Sequence, residues 1–329
     1  MGDKTSRAKV SVALVGVGPI WELHYRAAIE RLSSKLSVRA VCDSVQVRAA
    51  AVADEFEATP VSSPWLLTQH QDCHAWLILD PGWFGIYPAE LAVRSGRPAL
   101  FANTFSSSIP RLIPILRRSL ESGETLMPEF PQRFTPATNR LRELMATKLG
   151  SVRRIEVSVP LAATDSTAVA HWLHHEQADV IGLLDWCAWL IGETSPEVVF
   201  HTATTGAADA RFDLNYPSVA VRPEGAGVTI LLRLGRGAIS HHIECDRGSA
   251  TIVSPTQISW QTKDEHAEET LSHERSPHEI ILDQFCRRAL GGLVPVPAAH
   301  NALQAIATAQ LAMKRVREFD TTLVEHAHE

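Results

Sequence analysis

The chain has 329 residues, 45% of them hydrophobic and 21% charged, which is the composition of an ordinary globular protein long enough for two domains. The formal net charge of −6 disfavours nucleic acid as a partner, because neutralising phosphates needs a basic face, and no apolar run reaches the ~18 residues that span a membrane. The N-terminal segment lacks a signal-peptide pattern and the five cysteines form no CxxC pair, so we expect a cytoplasmic protein with reduced, mostly buried thiols.

Short apolar runs alternate with helical segments through the first third of the chain. The apolar runs are continuous, as expected for strands that are buried on both faces. These strands are predicted at Val10–Val15, Leu36–Cys42, Ala75–Leu79 and Pro98–Phe101. The helices between and after them are predicted to end near Leu32 and to span Arg48–Phe56, Ile86–Ser95 and Ile109–Leu120. This alternation with short connections predicts a parallel, doubly wound sheet, and therefore an α/β Rossmann domain over residues 1–126.

The pattern changes after residue 126. One helix is predicted at Asn139–Lys148, and period-two alternation begins at Ser151–Pro160 and dominates Glu197–Thr262, which indicates sheets with one covered face. Two amphipathic helices close the chain, at Glu279–Leu290 and Ala299–Val316. Two polar stretches are predicted as loops, at Thr164–Ala168 and Gln261–Pro277. Residues 127–329 are thus predicted to form an α+β substrate and oligomerisation domain with a large, mostly antiparallel sheet.

The turn after the first strand has the pattern of a dinucleotide-binding loop. Gly16 permits a tight turn, and Gly18 lets the backbone approach a pyrophosphate at the start of the following helix, which makes the main chain through Pro19 and Ile20 a candidate cofactor site. Trp21 stands where a third glycine is usual. The Gly-x-Gly turn lies directly between a buried strand and a helix, and this position strengthens the prediction of a dinucleotide-binding loop.

Asp43 ends the second strand, 25 residues after Gly18. A carboxylate there can accept hydrogen bonds from the adenine ribose and would repel a 2′-phosphate, which favours NAD over NADP. The alternative is that Asp43 caps the next helix. Both roles remain open, and they are compatible with each other.

Several segments together resemble the Gfo/Idh/MocA (glucose–fructose oxidoreductase / inositol dehydrogenase) family over nearly the full length of the chain. The similarity lies in residues 12–32 and 38–56, in Asp80-Pro81 with the helix that ends at Gly96, in Gln132–Ala137, and in Asp185 with Trp189–Gly192. The resemblance implies an NAD(P)-dependent oxidoreductase that acts on the CH–OH group of a sugar, cyclitol or similar small molecule. It also implies a homodimer or homotetramer formed through the C-terminal sheet, and cofactor contacts from Asp80, Pro81 and Arg133. A structural salt bridge is an equal alternative for Arg133.

The chain departs from that family at three positions that usually carry the acid–base groups. Asn103 replaces the lysine of a Glu-Lys-Pro motif, and Gly182 and Gly85 replace two histidines. Positioned acid–base groups typically contribute about 10²- to 10⁴-fold in rate, so their loss predicts either an altered proton relay or an inactive dinucleotide- or sugar-binding relative.

Other titratable residues are candidates for the missing chemistry. On one continuous helix His171, His175 and Asp179 would share a face, so His175 with Asp179 is a candidate general base. The alternatives are a metal site and a solvated histidine cluster. With Asn103 and Asp185, which lies near the end of the family's active-site helix, these two residues complete the candidate catalytic set.

Overall fold

The structure, a computed structural model, describes residues 9–106, 108–123, 125–192, 195–201, 210–217 and 226–326. The chain divides into two compact units: unit 1 comprises Met1–Pro131 and Arg275–Leu303, and unit 2 comprises Gln132–Glu274 and Gln304–Glu329. Among the described residues, no helix has both the length and the apolar character needed to cross a membrane.

Unit 1 contains a six-stranded sheet in the order β3-β2-β1-β4-β5-β6, in which every neighbouring pair is parallel. The strands are Val10–Val15 (β1), Leu36–Cys42 (β2), Thr59–Val61 (β3), Ala75–Ile78 (β4), Ala99–Phe101 (β5) and Leu126–Pro128 (β6). The central strands β1 and β4 are almost completely buried because helices cover both faces of a parallel sheet. The predicted doubly wound sheet is confirmed.

Short helices connect the strands of unit 1. They are Arg26–Arg31 (α1), Gln46–Glu55 (α2), Pro64–Leu67 (α3), Tyr87–Arg94 (α4) and Ile109–Ser122 (α5). A π-helical turn at Trp21–Tyr25 leads directly into α1. Gly123 ends α5 in the left-handed conformation, which glycine adopts without steric cost. The helices α2, α4 and α5 lie within two residues of their predicted boundaries.

The helix Pro277–Ala289 (α9) belongs to unit 1, although its sequence position suggested the second domain. It packs on α1. Two ion pairs accompany this packing: Arg31 Nη1 lies 3.3 Å from Glu279 Oε2, and Lys35 Nζ lies 2.5 Å from Asp283 Oδ1. A single boundary after residue 126 therefore does not describe the division, because the chain returns to unit 1 over Arg275–Leu303.

Unit 2 contains an eight-stranded sheet in the order β14-β13-β12-β11-β7-β10-β9-β8. The strands are Val152–Leu161 (β7), Glu197–His201 (β8), Ala210–Tyr216 (β9), Ala226–Leu234 (β10), Ser240–Cys245 (β11), Gly248–Ser254 (β12), Gln257–Thr262 (β13) and His266–Thr270 (β14). Only β7 and β10 pair in parallel within the described sheet. The predicted mostly antiparallel sheet is confirmed, while residues 202–209 and 218–225 of the predicted strand region lie outside the described residues.

Two segments of unit 2 that were predicted as loops form regular structure instead. The helices of unit 2 are Pro136–Leu144 (α6), Ser166–His175 (α7), Gln177–Ile191 (α8) and Ala299–His326 (α10), of which the residues up to Leu303 belong to unit 1. The predicted loop at Thr164–Ala168 contains the start of α7, because Asp165 Oδ1 accepts a hydrogen bond from the Ala168 N–H at 2.9 Å and caps the helix. The predicted loop at Gln261–Pro277 contains β14, an edge strand whose exposed polar side chains hide its pairing with β13.

Candidate functional site

The turn after β1 accepts only glycine at its first position. Gly16 has φ +83°, and a Cβ built on it would lie 1.9 Å from the carbonyl oxygen of Asp80. The Gly16 N–H donates to the Cys42 carbonyl at 2.8 Å, so the turn is held between the ends of β2 and β4. The tight turn predicted at Gly16 is therefore present at the carboxyl edge of the sheet, which is where doubly wound folds bind ligands.

The Asp80 carboxylate lies at the start of the helix that follows this turn. Its Oδ2 accepts hydrogen bonds from the N–H groups of Ile20 at 2.7 Å and Trp21 at 3.2 Å. A Cβ at Gly18 would lie 3.1 Å from the Cβ and Cγ of Asp80, so glycine makes room for this side chain. Pro19 has no N–H to donate. The backbone amides that were expected to bind a pyrophosphate are thus already hydrogen-bonded to a carboxylate of the same chain.

Asp43 is 2% exposed and makes several local contacts. Its Oδ2 accepts from the Val17 N–H at 2.8 Å, its Oδ1 accepts from the Val45 N–H at 2.7 Å, and Arg48 Nη2 lies 3.3 Å from Oδ1. The carboxylate therefore fixes the glycine turn and the residue that precedes α2. The cap position of α2 is Val45, and no side chain caps the helix, so the capping role left open by the sequence is not the one observed. A carboxylate has about four acceptor positions, so Asp43 could still accept a hydrogen bond from a ribose hydroxyl.

Two tryptophans near the turn have opposite environments. Trp21 is fully buried and packs edge-to-face on Phe56, with ring centroids 5.8 Å apart. Its indole therefore belongs to the core and does not fill the mouth of the turn. Trp83 follows Pro81 and Gly82 in a short 3₁₀ turn and is 96% exposed.

A buried polar cluster in unit 1 was not predicted from the sequence. Glu129, 8% exposed at the end of β6, accepts from the Tyr25 hydroxyl at 2.6 Å and from the Asn103 N–H at 2.7 Å. His278 Nε2 lies 3.6 Å from Glu129 Oε1, and the His278 ring stacks on His24. The sequence signal for this cluster was a single acidic residue inside the apolar run that surrounds Glu129.

Burial shifts the titration of this cluster. It raises the pKa of Glu129, although the hydrogen bonds from Tyr25 and Asn103 act in the opposite direction. Burial also lowers the pKa of His278 to about 4, and the neighbouring His24 adds to this effect. Asn103, the residue in place of the expected lysine, has an exposed side chain and a left-handed backbone with φ +47°. Glu129 therefore fixes the main chain at this candidate position.

In unit 2 the structure brings together two predicted site residues, Arg133 and Asp185. Arg133 Nε and Nη2 donate to the two carboxylate oxygens of Asp185, both at 2.6 Å, and both side chains are almost fully buried. The guanidinium also lies 5.3 Å from the centre of the Trp189 ring. The salt-bridge alternative for Arg133 is therefore the arrangement observed.

The structure does not bring His175 and Asp179 together in the predicted way. Helix α7 ends at His175, because Glu176 has φ −98° and ψ 32° and interrupts the helical backbone, so the expected continuous helical face is wrong. His175 is exposed and stacks on His171, with ring centroids 4.0 Å apart. Partial burial raises the pKa of Asp179. The negative charge of Glu176 and a hydrogen bond with its side chain raise it further. Among the described residues, no group of three or more His, Cys, Asp or Glu side chains is arranged to hold a metal ion.

The two glycines that stand where the resemblance places histidines carry no side chain. Gly182 lies on α8, and a Cβ there would meet Gln132 Oε1 at 3.6 Å, an ordinary contact distance. Gly85 has φ +53° and open space around it. Neither position offers a group that could transfer a proton.

Comparison with known proteins gives structural matches only. No family model and no curated protein sequence matches the chain. UDP-N-acetylglucosamine 3-dehydrogenase GnnA from Acidithiobacillus ferrooxidans is similar, with a TM-score of 0.69 at 19% identity over 95% of this chain and 99% of that one. The WlbA dehydrogenase from Bordetella pertussis, solved in complex with NADH and UDP-GlcNAcA, gives 0.69 at 17% identity over 95% and 97%. A Gfo/Idh/MocA family oxidoreductase from Vibrio cholerae gives 0.68 at 14% identity over 96% and 100%.

These matches concern the fold. The structural neighbours are Gfo/Idh/MocA oxidoreductases, as the sequence resemblance predicted, and the structural similarity covers nearly the full length of each chain. At these identities the likeness carries over the arrangement of the backbone and leaves activity to be argued from the site.

Proposed function

We propose that the protein is an oxidoreductase that uses a nicotinamide dinucleotide, with NAD preferred, on the CH–OH group of a sugar, cyclitol or similar small polar molecule. The observation that carries this proposal is the Gly16 turn between β1 and its helix, with Asp43 beside it at the end of β2. Dehydrogenases among the structural neighbours support it, including one whose structure contains NADH.

The residues at the turn fit such a cofactor in two of three respects. Gly16 permits the tight turn and Gly18 leaves room beside the main chain, and the carboxylate of Asp43 could accept a hydrogen bond from a ribose hydroxyl and would repel a 2′-phosphate. The third feature is Asp80, whose carboxylate already holds the amides of Ile20 and Trp21. When bound, the nicotinamide would accept or donate the hydride.

The proposed chemistry needs a second group, since oxidation of a hydroxyl releases a proton together with the hydride. The amide of Asn103 could hold a substrate hydroxyl by a hydrogen bond, but it cannot accept the proton. Asp185 is engaged with Arg133, which leaves His175 and Asp179 as candidate proton acceptors beside solvent water. The catalytic roles of Asn103, His175, Asp179 and Asp185 are part of the proposal.

Calorimetric titration with NADH and NADPH, followed by turnover with a panel of sugars and cyclitols, tests the function. We expect NADH to bind more tightly than NADPH, and Asp43→Ala to reduce this preference. Asp54→Ala serves as the control, because it removes an exposed carboxylate that lies on α2. Absence of binding by either cofactor at millimolar concentration, together with absence of turnover, would exclude the proposal.

The second candidate is a catalytically inactive relative that binds a dinucleotide or a sugar as a sensor. Asn103, Gly182 and Gly85 favour it, because none of these positions can transfer a proton. The two candidates differ in one measurement. Steady turnover by the unmodified protein excludes the inactive relative, whereas tight ligand binding with no turnover across the panel supports it.

We also propose that the protein forms a homodimer or homotetramer through the outer face of the sheet in unit 2. A row of polar side chains lies on this face. Arg154 Nη2 donates to Thr229 Oγ1 at 3.3 Å, and the Thr229 hydroxyl donates to Asp213 Oδ1 at 2.9 Å. Leu231 follows on the same face of β10 and is half-buried. Light scattering should report a dimer or larger species that Leu231→Arg weakens, and a monomer at all concentrations would contradict this assembly.

A further inference from the structure

We infer that the carboxylate of Asp80 stands in the position of a cofactor phosphate and limits the affinity of the turn for a pyrophosphate. This inference rests on the proposed cofactor site and identifies the residue that sets its strength. It concerns a specificity-determining side chain that follows β4, 60 positions along the chain from the amides it contacts.

The contacts of Asp80 are those that a bound anion would make. The start of a helix presents free N–H groups and a partial positive charge, both of which favour an anion. Here the Ile20 and Trp21 N–H groups donate to one oxygen of Asp80, at 2.7 Å and 3.2 Å. The residue at the helix cap, Ile20, has no side-chain acceptor of its own, so Asp80 supplies it from a distance. A phosphate could bind these amides only after Asp80 leaves them.

The space at the turn is also taken by this side chain. The position of a Cβ on Gly18 lies 3.1 Å from the Cβ and Cγ of Asp80 and 3.2 Å from its Oδ2. The glycine that would let a pyrophosphate approach the backbone therefore accommodates Asp80 instead. A ligand oxygen and the carboxylate cannot occupy this volume together.

The charge around Asp80 makes displacement by an anion harder. Asp43, Asp80 and Glu129 follow β2, β4 and β6, which places three acidic residues at the same edge of a parallel sheet. Asp43 has Arg48 beside it, whereas no basic side chain forms an ion pair with Asp80 in the part of the chain that is described. The negative charge of Asp80 also contributes to the raised pKa of Glu129. An entering pyrophosphate would thus meet a negative charge that no basic side chain of the described residues neutralises.

The test measures binding of NADH and of inorganic pyrophosphate by calorimetry to the full-length protein and three variants. Asp80→Ser removes both the charge and the volume, and Asp80→Asn keeps the shape and one acceptor oxygen while removing the charge. Asp72→Ser is the matched control, because Asp72 precedes β4 and so lies at the opposite edge of the sheet. We expect Asp80→Ser to bind pyrophosphate and NADH at least tenfold more tightly than the unmodified protein, with Asp80→Asn intermediate and Asp72→Ser unchanged.

The outcomes separate this inference from the proposed function. Gain of pyrophosphate binding without NADH binding supports the role of Asp80 and counts against the nicotinamide cofactor. Equal NADH affinity in the unmodified protein and both Asp80 variants overturns the role of Asp80 and leaves the cofactor proposal standing. Failure of both Asp80 variants to bind either probe, with native melting behaviour retained, overturns the role of Asp80. If Asp80→Ser does not fold, Asp80→Asn carries the comparison.

Discussion

The guanidinium of Arg133 and the carboxylate of Asp185 form a bidentate pair inside unit 2, with exposed side-chain fractions of 7% and 2%. Removing one member leaves a buried charge without its partner, which typically costs about 3–5 kcal/mol. We therefore expect Asp185→Ala to lower the free energy of unfolding by that amount, measured by chemical denaturation. Such a loss would show that this candidate site residue holds the fold.

An exposed arginine–aspartate pair with the same Nε–oxygen distance provides the control for this prediction. Arg153 Nε lies 2.6 Å from Asp246 Oδ1, but both side chains are substantially exposed. Exposed ion pairs contribute about 0–1 kcal/mol, so Asp246→Ala should change the free energy of unfolding far less than Asp185→Ala. The double variant Arg133→Met/Asp185→Leu should recover part of the loss. Equal effects of the two single variants would contradict the importance of burial.

Local pattern was sufficient for the parts of the fold whose strands are buried on both faces. The apolar runs Val10–Val15 and Leu36–Cys42 were predicted with the boundaries that the structure shows. The missed strands are short or at sheet edges: β3 contains Pro60, and β14 alternates exposed polar residues with half-buried ones. Such segments bury too little apolar surface to give a periodic signal, and pairing with a distant strand determines their structure.

The candidate site was predictable only where its contacts are local. The glycine turn is a feature of adjacent residues and was recognised as such. The bonds of Asp80 to the helix start, of Tyr25 to Glu129 and of Arg133 to Asp185 join residues 52 to 104 positions apart. No periodicity encodes such pairs, since the packing of whole elements brings them together. The predicted face of His175 and Asp179 is wrong for a related reason, because nothing in the local pattern marks the break at Glu176.

Two glycine substitutions should have opposite effects. Gly16→Ala places a Cβ on the carbonyl of Asp80 at a backbone φ of +83°, so we expect loss of folding or of several kcal/mol, beyond the ~1 kcal/mol typical of a point mutation. Gly182→Ala lies within α8 with no close contact, and should stabilise the protein by about 0.5–1 kcal/mol through helix propensity. Thermal melts of both variants test the pair. Destabilisation by Gly182→Ala would show that the glycine is needed for contacts with Gln132.

Tyr25→Phe should reveal the charge state of Glu129. The Tyr25 hydroxyl donates to Glu129 and lowers its pKa, whereas burial raises it. Because the folded-state pKa of Glu129 lies above its unfolded value, its contribution to stability is complete below pH 4.5 and is lost as pH rises through the folded-state pKa. Losing the hydroxyl raises the pKa further, so the stability gap to the unmodified protein should widen with rising pH, reaching about 1–3 kcal/mol. Denaturation at several pH values measures the gap, and the exposed Tyr87→Phe is the control.

Replacing Trp21 by the glycine that is usual at this position should lower the free energy of unfolding. Trp21 is fully buried against Phe56, so Trp21→Gly would open a large cavity and cost at least the ~3–5 kcal/mol typical of Trp→Ala. Trp21→Phe should cost less because it keeps most of the volume. Trp83→Ala, at a side chain that is 96% exposed, should change stability by no more than about 0.5 kcal/mol. A tolerated Trp21→Gly would show that the indole is not part of the core.

His241 should make unit 2 sensitive to acid. It lies on β11 between Val157 of β7 and Ile252 of β12, and its ring packs 4.8 Å from that of Trp186. Burial lowers its pKa from 6.5 to about 4, although a hydrogen bond with the backbone of Ile252 acts in the opposite direction. With a depressed folded-state pKa, the neutral ring stabilises the fold fully above pH 6.5, and this contribution is lost as pH falls to about 4.

The loss over this interval is on the order of 3 kcal/mol, since each pKa unit corresponds to about 1.4 kcal/mol. We expect His241→Phe, which keeps a ring against Trp186, to flatten the pH dependence of the free energy of unfolding between pH 6.5 and 4. The variant also identifies the His241 signal in NMR spectra of the unmodified protein by its disappearance. A His241 ring that titrates near pH 6.5 in the folded protein would contradict the prediction, because it would show that burial does not disfavour the charged ring.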